Sequence, residues 1–259
     1  MSFWGYTFVF DGVPSETYNL YISTPEGGGL TEGAGSGDVE LLTQTVFRNP
    51  KPYLLGVQQA PVLSFDIQVL SPDELMMDDI RIIQSWMFGQ QTYKKLQVVQ
   101  YDMKPYYFNC FLTSPRIVKT GNKINGMSGT VVCDSPFAWE FEKTFTHDTS
   151  NDSFTIYNSS DDNYYTYPTI TITMDSFGGD FTLTNTNDNS RVFEFIGLDA
   201  DEVVTIDNER NIITSSTGLR RLSYFNKNWF RMIRGGNSIS VSGNHAGFSI
   251  AYNPARKVA

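Results

Sequence analysis

The chain has 259 residues, 40% of them apolar and 14% aromatic. Its net charge of −9 is shared between nine basic and thirteen acidic side chains before residue 135 and ten and fifteen after it. That apolar content excludes a disordered chain and suits one or two domains with their own cores. Neither half has the basic excess that phosphate contacts need, so no specific nucleic-acid binding is expected. No run of about 18 apolar residues and no basic segment leading an apolar one is present, so neither membrane insertion nor a secretory leader is expected.

In chain order, Phe3–Phe10 reads as a strand, Asp11-Gly12 as a turn and Tyr18–Ile22 as a second strand. The segment from Gly27 to Gly37 then holds six glycines, Gly27, Gly28, Gly29, Gly33, Gly35 and Gly37, with Leu30 and Ala34 as its apolar side chains. Glycine loses the most backbone entropy on ordering, so this loop is expected to order only against a partner. Val39–Phe47 reads as a strand, Asn49-Pro50-Lys51-Pro52 as a turn and Pro61–Leu70 as a half-buried strand.

One helix is legible. Ser71 is placed as its N-cap, Pro72 as its first residue and Glu74 as the partner of a capping box. Met76, Ile80, Ile83 and Met87 recur at helical spacing, and Gly89 is placed to stop the helix. That stripe reads as a contact with the sheet of the first domain. Strands resume at Lys95–Tyr101, Tyr106–Thr113, Arg116–Thr120 and Ile124–Cys133, with Thr120-Gly121-Asn122-Lys123 as a hairpin turn.

The texture changes after Asp134-Ser135-Pro136-Phe137-Ala138-Trp139-Glu140. Residues 148–162 are rich in Asn, Asp and Ser and read as loop. Short strands follow at Thr169–Thr173, Phe181–Asn185, Arg191–Ile196, Glu202–Asp207, Ile212–Ser215, Ser238–Val241 and Gly247–Tyr252, with turn signals between them. That rhythm means a sandwich or barrel. The expectation is a mainly β chain of two domains, 1–135 with one α-helix and 136–259 as a β-sandwich.

No catalytic constellation, cofactor motif or metal-ligand spacing accompanies these elements. Cys110 and Cys133 lie in apolar runs and read as buried free thiols. His147 and His245 each sit in a polar turn, where a solvated histidine is expected. Adjacent acids such as Asp78-Asp79 and Asp161-Asp162 do not face each other as an acid/base pair would. The chain therefore reads as a non-enzyme.

Three segments carry a resemblance. Val131-Val132-Cys133-Asp134-Ser135-Pro136-Phe137-Ala138-Trp139-Glu140 resembles the interdomain junction of the siphophage distal tail proteins. The run from Met232 to Gly243 resembles that family's glycine-asparagine pattern, and Gly247–Arg256 resembles its final strand. The resemblance implies a tail-tube-like first domain that forms a ring, usually of six copies, and a galectin-like second domain. It implies a structural hub at the virion tail tip, made in the host cytoplasm, that joins the tail tube protein to tail-tip or tail-associated proteins. Receptor-binding or adaptor proteins are further partners, and a channel is left for DNA passage. It also places the Gly27–Gly37 loop between ring neighbours. The alternative reading is a carbohydrate-binding module for host-surface glycans on the second domain, with Trp229 as the stacking platform.

Overall fold

The computed structural model describes residues 7–23, 39–48, 50–59, 62–101, 103, 105–148 and 152–258. The chain divides into two compact units, Met1–Glu140 together with Arg256–Ala259, and Phe141–Ala255. It is mainly β, with one α-helix among the described residues.

The first unit contains β1 (Phe8–Phe10), β2 (Val13–Pro14), β3 (Tyr21–Ser23), β4 (Val39–Gln44), β5 (Tyr53–Gln59), β6 (Ser64–Leu70), α1 (Met77–Phe88), β7 (Lys94–Val98), β8 (Tyr106–Thr120), β9 (Lys123–Cys133) and β10 (Ala138–Glu140). Seven strands form one antiparallel path, β2-β1-β7-β8-β9-β6-β3. Period-two alternation puts Phe8, Phe10, Leu96, Val98, Phe108, Cys110, Leu112, Ile67, Val69, Met127 and Val131 on one face, and α1 covers that face with Ile80, Ile83 and Met87. Gly129 permits this approach, because a Cβ there would stand 2.5 Å from the ring of Phe88 and 2.7 Å from the Thr113 carbonyl oxygen. Trp86 locks the helix to the sheet edge. Its Nε1 donates to the Phe10 carbonyl (3.2 Å), and its ring stacks on Phe8 and meets Phe10 edge-on.

The helix begins later than the capping signal suggests. Ser71 N–H donates to Asn125 O (2.7 Å) and Leu75 N–H to Ile124 O (2.8 Å), so the stretch before the helix is pinned to the start of β9. Ser71 Oγ instead accepts from Asp73 N–H, and Asp79 supplies the carboxylate that accepts from Met76 N–H (2.9 Å). Met76 therefore precedes the helix and stays exposed. The break expected at Ser114-Pro115 is a bulge inside one long strand: the β8–β9 register shifts between Thr113 and Arg116, with Ser114 at φ 54°. Tyr53–Gln59, where the sequence suggests no element, pairs with β4 in a separate two-stranded ribbon.

The second unit contains β11 (Lys143–His147), β12 (Ser153–Asn158), β13 (Thr169–Thr173), β14 (Gly179–Asn185), β15 (Arg191–Leu198), β16 (Val203–Asp207), β17 (Ile212–Ser215), β18 (Gly235–Gly243) and β19 (Gly247–Tyr252). They form two antiparallel sheets, β11-β19-β13-β16-β17 and β12-β18-β14-β15. Ile170, Ile172, Val204, Ile206, Phe248 and Ile250 of the first sheet share one core with Phe181, Leu183, Phe193, Phe195, Ile239 and Val241 of the second, which makes a sandwich. Part of the Asn/Asp/Ser-rich stretch is strand, because Phe154 and Ile156 alternate toward this core between polar residues.

After β19 a last short strand, β20 (Ala255–Arg256), pairs with β10, which also pairs with β8. Arg256 Nε donates to Glu140 Oε1 (2.7 Å), and Val258 is buried in the core of the first unit.

Candidate assembly surfaces

The glycine loop, with Gly27, Gly28, Gly29, Leu30, Gly33, Gly35 and Gly37, lies outside the described residues. The chain leaves β3 before it and enters β4 after it, and β4 opens an unusual element. Val39–Gln44 and Tyr53–Gln59 pair only with each other among the described residues, through a register shift between Leu42 and Thr43. Neighbouring residues on a strand point to opposite faces. Leu41 and Leu42 on β4 and Leu54 and Leu55 on β5 are all exposed, so the ribbon is apolar on both faces. At its tip Phe47 is 88% exposed, with the Arg48 guanidinium carbon 5.3 Å from its ring centroid. An isolated two-stranded hairpin is marginally stable in water, and contiguous exposed apolar surface marks a contact site. The sequence signal was present in Val46-Phe47 and Tyr53-Leu54-Leu55, but the run between Pro52 and Gly56 lacks alternation and did not read as a strand.

In the second unit Trp229 is half-buried. Its ring meets Phe225 edge-on at 4.9 Å, and its carbonyl accepts from Arg191 Nε (3.0 Å). The segment that carries it is held by two buried charge contacts. The Arg221 side chain, 1% exposed, donates to both oxygens of Glu202, at 2.7 Å from Nε and 2.6 Å from Nη2, and also bonds Asp199. Burial raises the Glu202 carboxyl, but the Arg221 guanidinium, the Ser215 hydroxyl and the Asp199 backbone N–H outweigh it and hold the group below the ordinary carboxylate value. Arg231 Nε donates to Asp188 Oδ2 (2.7 Å), and its guanidinium carbon lies 3.6 Å from the Tyr165 ring centroid. Hydrogen bonding to Asp188 raises the Arg231 pKa further. These are rigid, satisfied contacts that fix loops.

The outer face of the five-stranded sheet is lined by hydroxyls. Thr146, Ser249, Thr171, Thr205 and Thr214 stand in register across β11, β19, β13, β16 and β17. Among the described residues no group of three or more His, Cys, Asp or Glu could hold a metal ion. The two histidines depart from the expected solvated turns. His245 is 5% exposed and meets Phe181 and Phe248 at 5.3 and 5.5 Å, while His147 packs on Phe154 at 4.7 Å and on Phe248 at 5.6 Å. Sequence distance hid their convergence on one phenylalanine.

Family models match both parts of the chain. A phage tail protein N-terminal domain covers residues 3–135, and a phage tail C-terminal domain covers residues 137–252. Among solved structures, the Dit protein of phage SPP1, described as a paradigm of the hub adsorption apparatus in phages infecting Gram-positive hosts, aligns over 96% of this chain and 98% of its own, with TM-score 0.72 and 10% identity. A chain of the phage P2 baseplate in its activated conformation with Ca aligns over 95% and 97%, with TM-score 0.52 and 9% identity. A chain of the same baseplate with Sr gives TM-score 0.50 and 11% identity over 95% and 97%. At these identities the likeness is one of fold. No curated protein matches.

Proposed function

The chain belongs to the phage tail proteins, and we propose that it is the distal tail hub of its virion. On this reading the protein is structural and not catalytic. Six copies form a ring through their first units, the ring joins the tail tube to the proteins of the tail tip, and its centre leaves a passage for DNA. The single observation that carries the reading is the near-complete alignment with the SPP1 Dit protein, which spans both units and the order in which they are joined.

The physics of the chain supports it. A ring is a heterologous assembly, in which each copy offers two different complementary surfaces. The first unit offers an apolar ribbon that a lone subunit leaves in water. The acidic composition suits a channel that passes DNA without gripping it. The second unit, with its satisfied loops and closed sandwich core, is a rigid platform for tip or adaptor proteins.

Light scattering with negative-stain microscopy on the purified full chain tests the proposal. Six-fold rings with a central opening are the expected result. A monomer at every accessible concentration overturns it.

A further inference from the structure

We propose that the β4–β5 ribbon of one copy adds, along its β4 edge, to the uncovered edge of β8 at residues 116–120 in the next copy. This deepens the ring reading and rests on it.

The acceptor is a strand edge that the fold of the monomer leaves open. On its β7 side β8 is paired only as far as Cys110, opposite Lys94. The next outward donor, Leu112 N–H, is taken by a side chain, Gln90 Oε1 at 3.0 Å, instead of by a strand. The bulge at Ser114-Pro115 interrupts the edge, and Pro115 has no N–H to offer; beyond it, from Arg116 to Thr120, the described pairing is with β9 alone, with a second register shift between Val118 and Lys119. Of these five residues four are exposed and Val118 is half-buried, and among the described residues no strand pairs with this edge. An uncovered edge is a row of backbone donors and acceptors waiting for a strand.

The donor matches it in length and chemistry. β4 has six residues against five on the edge, and among the described residues its far side carries no strand. Its one charge is Glu40, whereas the β8 edge carries Arg116 and Lys119 and no acid. Ile117, 44% exposed, and Val118 give the edge an apolar centre to meet Leu41 and Leu42. Main-chain hydrogen bonds then supply affinity and the alternate side chains supply register, as in strand addition generally. Because donor and acceptor are different parts of one unit, the pairing repeats from copy to copy and ends only when the ring closes. It also shelters both the apolar ribbon and the open edge, the two features of the first unit that invite aggregation.

Two measurements on the full chain test this. In the first, Thr43→Cys and Lys119→Cys are combined and treated with a flexible bismaleimide. The wild-type chain is the blank, since Cys110 and Cys133 are buried. The expected result is a ladder of linked chains on a denaturing gel, absent from the wild type and from either single variant. In the second, Leu42→Glu with Leu54→Glu is compared with wild type for melting temperature and for ring content by light scattering. Both leucines are exposed in the free unit, so melting should hold while the ring fraction falls at least tenfold. Intact rings in the second variant, together with no ladder in the first, overturn the strand pairing and leave the ring reading standing. A wild-type chain that stays monomeric overturns both. A ladder that stops at two chains means an isologous contact and overturns the closing seam. A ribbon protected only after a tail-tube or tip protein is added assigns it to that partner and also overturns the proposal.

Discussion

Cys110 on β8 stands directly across the ladder from Cys133 on β9, with both side chains inside the first core. Asp134 N–H donates to Asn109 O (2.9 Å), so the neighbouring pair is the hydrogen-bonded one and the cysteines occupy the closer, non-bonded position. Both thiols are free. Burial raises the pKa of each, followed by the neighbouring thiol and Asp134 for Cys110 and by Asp134 for Cys133, whose value is pushed up to about 12.

Raised thiol pKa values make stability depend on alkaline pH. Below the unfolded value of 9.0 the two states bind the same thiol protons, and stability is unaffected. Above it the unfolded chain ionises while the folded one does not, so stability falls as pH rises toward 12, by about 1.4 kcal/mol per pH unit for each thiol. Urea melts at pH 8, 9 and 10 should show a steeper decline for the wild type than for Cys133→Ala. Equal slopes would place ionisation of Cys133 outside the folding equilibrium. Native-state alkylation should likewise be slow, and both thiols should react after unfolding.

The Arg221–Glu202 contact gives the opposite dependence. A carboxyl whose folded pKa is lowered contributes stability above its unfolded value, near 4.5, and that contribution is lost as pH falls through the folded pKa. Arg221→Met leaves Glu202 buried without its cation and should cost the second unit about 3–5 kcal/mol. Adding Glu202→Gln should recover part of that loss and flatten the acid limb. Calorimetry of the three variants between pH 3 and 7 checks both outcomes, and a full-size loss in the double variant would count against the pairing argument.

Trp229 packs on Phe225 and the second core. Trp229→Ala should therefore lower the stability of the second unit by about 2 kcal/mol, less than the loss typical of a fully buried tryptophan. A glycan array on the same two proteins separates this from the stacking-platform role: glycan binding by the wild type that vanishes in the variant without a change in melting would establish the platform.

Removing Arg256–Ala259 deletes the partner of Glu140 and the buried Val258 side chain. The transition of the first unit should fall by about 1.5–3 kcal/mol from the lost apolar burial alone, with the transition of the second unit unmoved. A fragment of residues 141–255 should melt cooperatively, because both of its sheets close on one core. A non-cooperative melt of that fragment would show that the division at residue 140 does not mark an independent folding unit.

Much of this was legible in the sequence, for reasons that differ by element. The β8–β9 hairpin announced itself through Gly121, which takes φ 63° in the turn, and the Ile80, Ile83 and Met87 stripe did fall on the buried face of α1. The helix start was misread because capping residues signal only a local preference, and the carbonyls of Ile124 and Asn125, some fifty residues away, took the donors first. β11 and β12 were hidden by polar residues that face outward between Phe145, Phe154 and Ile156. Of the ribbon, β4 was legible within Val39–Phe47, whereas β5 was hidden for the opposite reason: Leu54 and Leu55 expose apolar side chains on both faces, and no periodicity marks a strand that has no buried side. The Arg221–Glu202 pair is separated by 19 residues and left no local trace.

The return of the last residues has a consequence for how such a protein can change. The chain passes from Glu140 into the second unit and comes back at Arg256, and those two side chains are joined at 2.7 Å. The second unit is thus spliced into the first as an insert whose two ends meet, and is not appended to a tail. Recombination could exchange it as a single cassette between residues 141 and 255 for any domain with neighbouring termini. The Glu140–Arg256 clasp would then act as a seam that tolerates new cargo, while the first unit keeps its own sequence.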